Sequence, residues 1–286
     1  MFDRGEVVMI LLDGKKVQTE LLEELKEKIS KAEDVLGLAV IQVGDDAASD
    51  VYVRQKKMMA EVLGMRFFHE KLASDIQEEA LLELINKLNR DDAVDGILVQ
   101  MPLPEHLNAK KIRNAIDYRK DVDGLTDWNM GGLVCDQDVL VACTPMGIMD
   151  LLDYYHIDVE GANVVIVGRS DLVGKPLLHL MLKRNATVVM AHSKTRNLQE
   201  ITQKADILVV AIGKAQFITE EYVKEGAVVV DVGIHRVGSK LMGDVNFETV
   251  KEKASYITPV PGGVGPMTVA ELGRNVYQAY ALRRKI

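Results

Sequence analysis

The sequence has few cysteines, few aromatic residues and no long apolar run, and each shortage excludes a class of protein. Its two cysteines, Cys135 and Cys143, have neither the spacing of metal ligands nor the number that a disulfide framework needs. We therefore expect reduced thiols in a reducing compartment. No apolar run reaches membrane-spanning length, and residues 1–5 lack the layout of a signal peptide. A cytoplasmic protein that does not act at a membrane is the expectation that follows.

Positive charge is also in deficit. The 286 residues include 35 lysines and arginines against 43 aspartates and glutamates, a formal net charge of -8. Nucleic-acid backbones require a basic surface, so binding to nucleic acid is not expected. An anionic small ligand remains compatible with this charge, because a helix N-terminus and a few arginines bind one locally.

Helical and extended patterns alternate along the chain, which predicts an α/β fold with a mainly parallel sheet. The predicted helices span residues 19–31, 49–63, 76–89 and 268–284, and the predicted strands span residues 36–43, 65–70, 96–100, 163–168, 187–191, 207–213, 227–233 and 255–258. Residues 117–144 are less regular. We place a domain boundary near residue 140 and expect the last helix to pack back onto the first domain.

A segment near the C-terminus, Ile257 to Thr268, contains three glycines and three prolines. Glycine lets a backbone approach a ligand closely or adopt positive φ, whereas proline fixes φ. The segment is either a rigid turn between domains or the wall of a ligand cleft. A glycine-rich segment near residue 170 and the pair Tyr52 and Lys56 favour the cleft.

The strand pattern at residues 163–167 runs into Gly168-Arg169-Ser170-Asp171-Leu172-Val173-Gly174-Lys175-Pro176 and then an apolar helix, a context typical of phosphate binding. The dinucleotide motif G-x-G-x-x-G is absent, because Ser170 occupies the position of its second glycine. The phosphate-loop motif also fails, because Pro176 stands where a Ser or Thr is required. Alone, this turn is compatible with a nucleotide site or with a plain strand-to-helix connection.

The next strand pattern ends in His192-Ser193-Lys194-Thr195, where an NAD site usually has an acidic residue. Ser193 together with Arg169 suits a 2′-phosphate, which both would meet through charge-assisted hydrogen bonds. NADP is therefore favoured over NAD, with a solvated basic turn as the alternative.

Tyr52, Lys56, Gln100 and an aspartate pair are the candidate catalytic residues. Tyr52 and Lys56 stand four apart in a predicted helix, so their side chains share one face. Gln100 ends a strand pattern just before a Met-Pro-Leu-Pro stretch that takes the chain out of the sheet. Asp121 and Asp123 are compatible with a metal pair, but no further ligands surround them, and turn-forming aspartates are the simpler interpretation. We predict no metal site. Each residue also has an ordinary structural explanation, so only the combination is informative.

That combination resembles the FolD family, the bifunctional methylenetetrahydrofolate dehydrogenase/cyclohydrolases. The motifs that carry the resemblance are Tyr52-Val53-Arg54-Gln55-Lys56, Val99-Gln100-Met101-Pro102-Leu103-Pro104, Lys120-Asp121-Val122-Asp123-Gly124, Gly168-Arg169-Ser170 with Val173-Gly174-Lys175-Pro176, His192-Ser193-Lys194-Thr195, and residues 259–268. The resemblance covers the chain from about Leu11. We interpret the residues before Met9 as an extension or an early start.

The resemblance implies two domains and two activities. Residues 1–140 plus 267–286 would form a folate-binding catalytic domain, and residues 141–266 a Rossmann-like NADP-binding domain. The family oxidises 5,10-methylenetetrahydrofolate with NADP and then hydrolyses the methenyl product to 10-formyltetrahydrofolate. By resemblance, Lys56 is the catalytic group of the hydrolysis, Tyr52 stacks on the folate, Gln100 supports Lys56, and Asp123 holds the pterin. Binding roles follow for Pro261, Gly262 and Gly263 at the folate, between the domains, and for Gly168, Arg169, Ser170, Ser193 and Ile234 at NADP.

Two other functions stay open at this stage. A monofunctional NAD(P)-dependent dehydrogenase would not need Lys56, and a regulatory nucleotide-binding module would need neither Lys56 nor Asp123. The resemblance further implies a homodimer paired through the nucleotide domain, with residues 227–233 or 255–258 as a sheet edge that needs covering. We also predict cis peptide bonds before Pro102 and Pro261, where the chain leaves a strand beside the expected folate site.

Overall fold

The computed structural model describes residues 9–238 and 240–284. Residues 1–8, interpreted above as an extension or an early start, lie outside the described residues. In chain order, the helices are α1 (Gly14–Ile29), α2 (Ala47–Val62), α3 (Glu78–Arg90), α4 (Ala109–Asn114), α5 (Asp127–Val134), α6 (Cys143–Tyr154), α7 (Gly174–Lys183), α8 (Leu198–Thr202), α9 (Phe247–Val250) and α10 (Val264–Arg284). The strands are β1 (Ile10–Leu11), β2 (Gly37–Val43), β3 (Arg66–Leu72), β4 (Gly96–Val99), β5 (Asn163–Val167), β6 (Thr187–Ala191), β7 (Ile207–Val210), β8 (Val228–Asp231), β9 (His235–Val237), β10 (Lys240–Met242) and β11 (Tyr256–Ile257).

The chain divides into two compact units. The three-stranded unit contains Thr19–Cys143 and the residues from Val269 onward, and the six-stranded unit contains the described residues up to Gln18 and Thr144–Thr268. This division differs from the sequence-based one at the N-terminus, where residues 9–18 join the six-stranded unit. The physical reason is that β1 pairs in parallel with β11, through main-chain hydrogen bonds. A two-residue strand leaves no periodic signal in the sequence.

The three-stranded unit is built on the parallel sheet β3-β2-β4. Every residue of β2 and β4 is buried, as expected for a parallel sheet that is covered on its faces. The C-terminal helix α10 packs close to this sheet at Gly96. A Cβ on Gly96 would lie 2.5 Å from Val122 Cγ1 and 3.1 Å from Val276 Cγ2. Because β2 and β4 are parallel neighbours, their carboxyl ends lie on the same side of the sheet.

The six-stranded unit contains a sheet in the order β1-β11-β8-β7-β5-β6, in which every neighbouring pair is parallel. The predicted α/β class with mainly parallel sheets is thus confirmed. The prediction of the sheet edge is wrong, because β8 lies between β11 and β7 while β1 covers β11. The edges are β1 and β6. On β6, Val189 is 43% exposed.

The structure confirms the two predicted cis peptide bonds and shows a helix in the stretch that was predicted to be less regular. The peptide bonds before Pro102 and Pro261 are both cis, as predicted. The less regular stretch contains α5, whose start is capped by the Thr126 side chain, which accepts a hydrogen bond from the Asn129 main-chain N–H. Its apolar periodicity is too short to be recognised. Among the described residues, no helix is both long and apolar enough to cross a membrane.

Candidate active site

Lys56 and Gln100 meet at the carboxyl edge of the three-stranded sheet. Lys56 lies on α2 and Gln100 directly follows β4. The Lys56 Nζ donates to Gln100 Oε1 at 2.7 Å, and Gln100 Nε2 donates to the Met101 carbonyl at 2.8 Å. The second bond fixes the amide so that its oxygen faces the amine. Gln100 is buried and Lys56 is half-buried, so the lysine head is held in a defined place.

The electrostatics of this site shift two ionisable groups towards neutrality. Burial lowers the pKa of Lys56, against the opposing charges of Asp123 and Cys143. Burial likewise raises the pKa of Asp123 to about 6, which the positive charge of Lys56 opposes. Both shifts move these groups towards the range in which acid–base catalysis at neutral pH is effective. The structure therefore places Asp123 within the electrostatic reach of Lys56, as the predicted site requires.

Tyr52 precedes Lys56 by one helical turn on α2. Its side chain is 44% exposed, which leaves the ring available as a stacking surface. Helical spacing places it on the same side of α2 as the lysine.

Buried polar contacts on both sides of Asp123 hold the main chain around it. The Asp121 carboxylate accepts from the Thr126 N–H at 2.7 Å and from Asn129 Nδ2 at 2.9 Å. Asp121 is therefore a turn-forming aspartate. Gly124 has φ +66°, and a Cβ there would lie 2.4 Å from a main-chain carbon. No group of three or more His, Cys, Asp and Glu side chains within residues 9–238 and 240–284 is arranged to hold a metal ion.

Two residues that sequence reasoning missed also border this site. Asn275, on α10, donates from Nδ2 to the Val122 and Val141 carbonyls, both at 2.8 Å. The Cys143 thiol donates to the Val122 carbonyl at 3.3 Å, and burial, with the nearby charge of Asp123, raises its pKa. From the sequence alone, Cys143 was expected only to be a reduced thiol. Both contacts join distant parts of the chain, so no local pattern could have indicated them.

The glycines after β5 permit a close approach of main chain in the six-stranded unit. Gly168 has φ +139°, and a Cβ there would lie 2.3 Å from the Ala211 carbonyl oxygen. A Cβ on Gly174, where α7 begins, would lie 2.3 Å from the Gly168 carbonyl oxygen. The turn thus brings the start of α7 tightly against the end of β5, although the usual dinucleotide motif is absent. The Ser170 hydroxyl accepts from the Val173 N–H at 3.2 Å.

Arg169 follows β5, and Ser193 follows the neighbouring parallel strand β6. Both residues therefore lie at the carboxyl ends of the strands. Both residues are exposed. The loop that carries Ser193 is braced by Thr195, whose hydroxyl accepts from the His192 N–H at 2.8 Å. Ile234 follows β8, also at the carboxyl ends of the parallel strands, and is 45% exposed.

Pro261, Gly262 and Gly263 belong to the six-stranded unit. Gly262 has φ +113°, and its carbonyl accepts from the Lys15 N–H at 3.2 Å. Their assignment to the folate site stays a prediction.

Comparisons with known proteins agree with this geometry. Residues 12–123 match the family described as tetrahydrofolate dehydrogenase/cyclohydrolase, catalytic domain, and residues 142–284 match the NAD(P)-binding domain of the same family. The chain is 51% identical to the bifunctional protein FolD of Agathobacter rectalis, over 94% of this chain and 98% of that protein.

Solved structures give the same result. The crystal structure of the bifunctional FolD of Campylobacter jejuni has a TM-score of 0.94 and 46% identity, over 96% of this chain and 99% of that one. The Trypanosoma brucei enzyme, crystallised with NADP cofactor and an inhibitor, has a TM-score of 0.92 and 34% identity, over 97% and 99% of the two chains. With both units matched and the Lys56–Gln100 pair in place, this chain belongs to the tetrahydrofolate dehydrogenase/cyclohydrolase family and is similar to its bifunctional FolD members.

Proposed function

We propose that this protein oxidises 5,10-methylenetetrahydrofolate to 5,10-methenyltetrahydrofolate with NADP and hydrolyses the product to 10-formyltetrahydrofolate. The observation that carries the proposal is the hydrogen bond from Lys56 to Gln100, with the half-buried Asp123 within electrostatic reach of the lysine. A dehydrogenase without hydrolase activity would not need an amine of lowered pKa at this place. The relatives of this chain that are bifunctional FolD proteins support the same choice.

The hydrolytic step requires proton transfers that Lys56 is suited to perform. Water must lose a proton as it attacks the methenyl carbon, and a ring nitrogen must later gain one. A lysine serves as base only when its amine is neutral near the working pH, and burial lowers the pKa of Lys56 in that direction. Gln100 Oε1 orients the amine through the 2.7 Å hydrogen bond. Asp123 would accept the paired N–H donors of the pterin, and Tyr52 would stack on its ring.

The six-stranded unit has the features that a dinucleotide requires. Close packing at Gly168 and Gly174, which leaves no room for a Cβ, brings the start of α7 against the end of β5, and a helix N-terminus at this place would suit a phosphate group. Gly168, Arg169, Ser170, Ser193 and Ile234 would hold NADP, which when bound supplies the hydride acceptor. Oxidation then needs alignment of the substrate and no obligatory protein base.

An optical assay of methenyltetrahydrofolate tests the proposal directly. Starting from the methylene substrate, methenyl absorbance should rise and then decay when NADP is present, and NAD should support a slower rise. Starting from methenyltetrahydrofolate, decay should proceed without any nucleotide. If methenyl absorbance rises but does not decay, only the dehydrogenase activity is present. If it neither rises nor decays, both activities are ruled out.

The preference for NADP should depend on Arg169. We expect Arg169→Ala to weaken NADP binding about tenfold or more, since a charge-assisted hydrogen bond contributes roughly 1.5–3 kcal/mol. NAD binding should change little, because NAD lacks the 2′-phosphate. Calorimetric titration with both nucleotides measures the two effects, and equal losses would show that Arg169 does not recognise the 2′-phosphate.

We also propose a cytoplasmic homodimer that pairs through the six-stranded unit. Support comes from β6, a sheet edge with the exposed β-branched residue Val189, since such an edge in a stable protein is normally covered. Sedimentation at micromolar concentration should give a dimer, and Val189→Lys should shift it towards the monomer. Wild-type protein that sediments as a monomer would contradict the proposal.

A further inference from the structure

A buried carboxylate, Asp244, joins the loop after β7 to the start of β9, which directly follows the loop that contains Ile234. Its Oδ2 accepts from the N–H groups of Ile212 and Gly213, at 2.7 and 3.1 Å. Its Oδ1 accepts from the Lys214 N–H and from His235 Nε2, both at 2.7 Å. Asp244 is completely buried. Four donors therefore converge on one side chain that has no contact with solvent.

These donors stand at the carboxyl edge of the sheet. Residues 212–214 follow β7, and His235 comes directly after Ile234, beyond the end of β8. The Ala211 carbonyl, next to Ile212, is the group that a Cβ on Gly168 would meet at 2.3 Å. The loops that Asp244 ties together thus adjoin the turn after β5 and include one of the proposed NADP contacts.

A second buried carboxylate fixes Asp244 itself. Asp231 Oδ1 accepts from the Asp244 and Gly233 N–H groups, both at 2.9 Å, and Asp231 Oδ2 accepts from the Val245 N–H at 2.9 Å. Glycine is required at positions 233 and 243, because a Cβ at either position would clash with one of the two carboxylates. A Cβ on Gly233 would lie 2.5 Å from Asp244 Cγ, and one on Gly243 would lie 1.8 Å from Asp231 Oδ2. Both carboxylates are buried.

We propose that Asp244 is a positioning residue for the dinucleotide. It acts through the main chain at residues 212–214 and through His235, which fixes the place of Ile234. The inference rests on the proposed NADP site. Its physical basis is that a carboxylate accepts on both oxygens, whereas a group with a single acceptor cannot satisfy donors that approach from two directions.

Asp244→Asn keeps the size of the side chain but turns one oxygen into a donor. One pair of the four hydrogen bonds is then lost, either the pair from Ile212 and Gly213 or the pair from Lys214 and His235, and the loop after β7 is held less firmly. We expect the dissociation constant for NADP to rise about tenfold or more, by the usual strength of such bonds. Hydrolysis of methenyltetrahydrofolate in the absence of nucleotide should stay within about twofold of wild type, because Lys56, Gln100 and Asp123 lie in the three-stranded unit.

Asp206→Asn is the matched control. Asp206 also accepts from a main-chain N–H, that of Asn163, at 2.8 Å, but it precedes β7 and stands at the opposite, amino edge of the sheet. NADP affinity is measured by calorimetric titration without folate, and thermal unfolding is measured without ligand for both variants. Asp206→Asn should leave NADP binding unchanged even where it lowers stability.

A milder pair of variants keeps the test decisive if Asp244→Asn does not fold. His235→Ala removes one donor and should weaken NADP several-fold, whereas His235→Gln restores an N–H donor and should recover most of the affinity. NADP binding within twofold of wild type for Asp244→Asn, or for His235→Ala in its place, would overturn the inference. Equal weakening by Asp206→Asn would also overturn it, as would failure of His235→Gln to rescue. Wild-type protein that binds no NADP would instead remove the proposed function.

Discussion

Lys56→Gln is expected to slow hydrolysis of methenyltetrahydrofolate by about 10²–10⁴-fold, the usual contribution of general acid–base catalysis, while a substantial part of the NADP-dependent oxidation remains. Glutamine can still form a hydrogen bond with Gln100, but it cannot take up a proton. Because oxidation needs no protein base, the methenyl intermediate should accumulate. Absorbance of methenyltetrahydrofolate, followed from the methylene substrate, measures both steps in one experiment.

Lys57→Gln provides the matched control, because Lys57 is the adjacent lysine on α2 and its side chain is exposed, 3.8 Å from Glu61. It should retain both activities. In the wild type, hydrolysis should rise with pH through the pKa of Lys56, which burial lowers from that of an ordinary lysine, since only the neutral amine can act as base. Parallel loss of both activities in Lys56→Gln, with intact folding and folate binding, would show that Lys56 positions the substrate instead.

Asp123→Asn is expected to weaken folate binding by about one to two orders of magnitude, because hydrogen bonds to a charged group contribute roughly 1.5–3 kcal/mol each. An amide presents one acceptor to the pterin where the carboxylate presents two. Equilibrium titration with a tetrahydrofolate derivative measures the loss. Asp127→Asn, at an exposed aspartate four residues further along, should have no such effect.

The same substitution should change how stability depends on pH. The folded-state pKa of Asp123 is raised from 3.8 to about 6 by burial, so its ionisation opposes folding. The stabilising contribution of this group is fully present below the unfolded pKa and is lost as pH rises through about 6. Relative to wild type, the free energy of unfolding of Asp123→Asn should therefore increase as pH rises through that range. Unchanged folate affinity would show that Asp123 does not bind the pterin. Absence of the pH trend would show that its pKa is not raised in the folded protein.

The residues of the candidate active site could be predicted from the sequence where they depend on local patterns. Tyr52 and Lys56 share a helix face by their spacing, and Gln100 follows an apolar run that can only be a buried strand. What could not be predicted depends on contacts between distant residues. Asn275 reaches Val122 across 153 positions, and no periodic signal records such a pairing.

The candidate nucleotide site shows the same division. Gly168 was predicted because a glycine follows a strand and precedes a helix, whereas Asp244 was not, because three of its four donors come from the loop after β7, about 30 residues earlier. The sheet edge was predicted wrongly for a related reason. The pairing of β1 with β11 joins Ile10 to Tyr256, and a two-residue strand is too short to be recognised from its own sequence.

That pairing also determines when the protein can fold during its synthesis. The six-stranded sheet is not complete until β11 has left the ribosome, and the three-stranded unit lacks α10 until the last residues are added. Contacts between distant residues form slowly, because loop closure must precede them. A nascent chain in which β5 to β8 have paired therefore has β8 as an open sheet edge until β11 is synthesised. A single cut in the gene cannot give either unit intact, because each unit is formed by two segments of the chain. A circularly permuted gene in which the residues through Gln18 follow Thr268 would encode the six-stranded unit as one continuous segment.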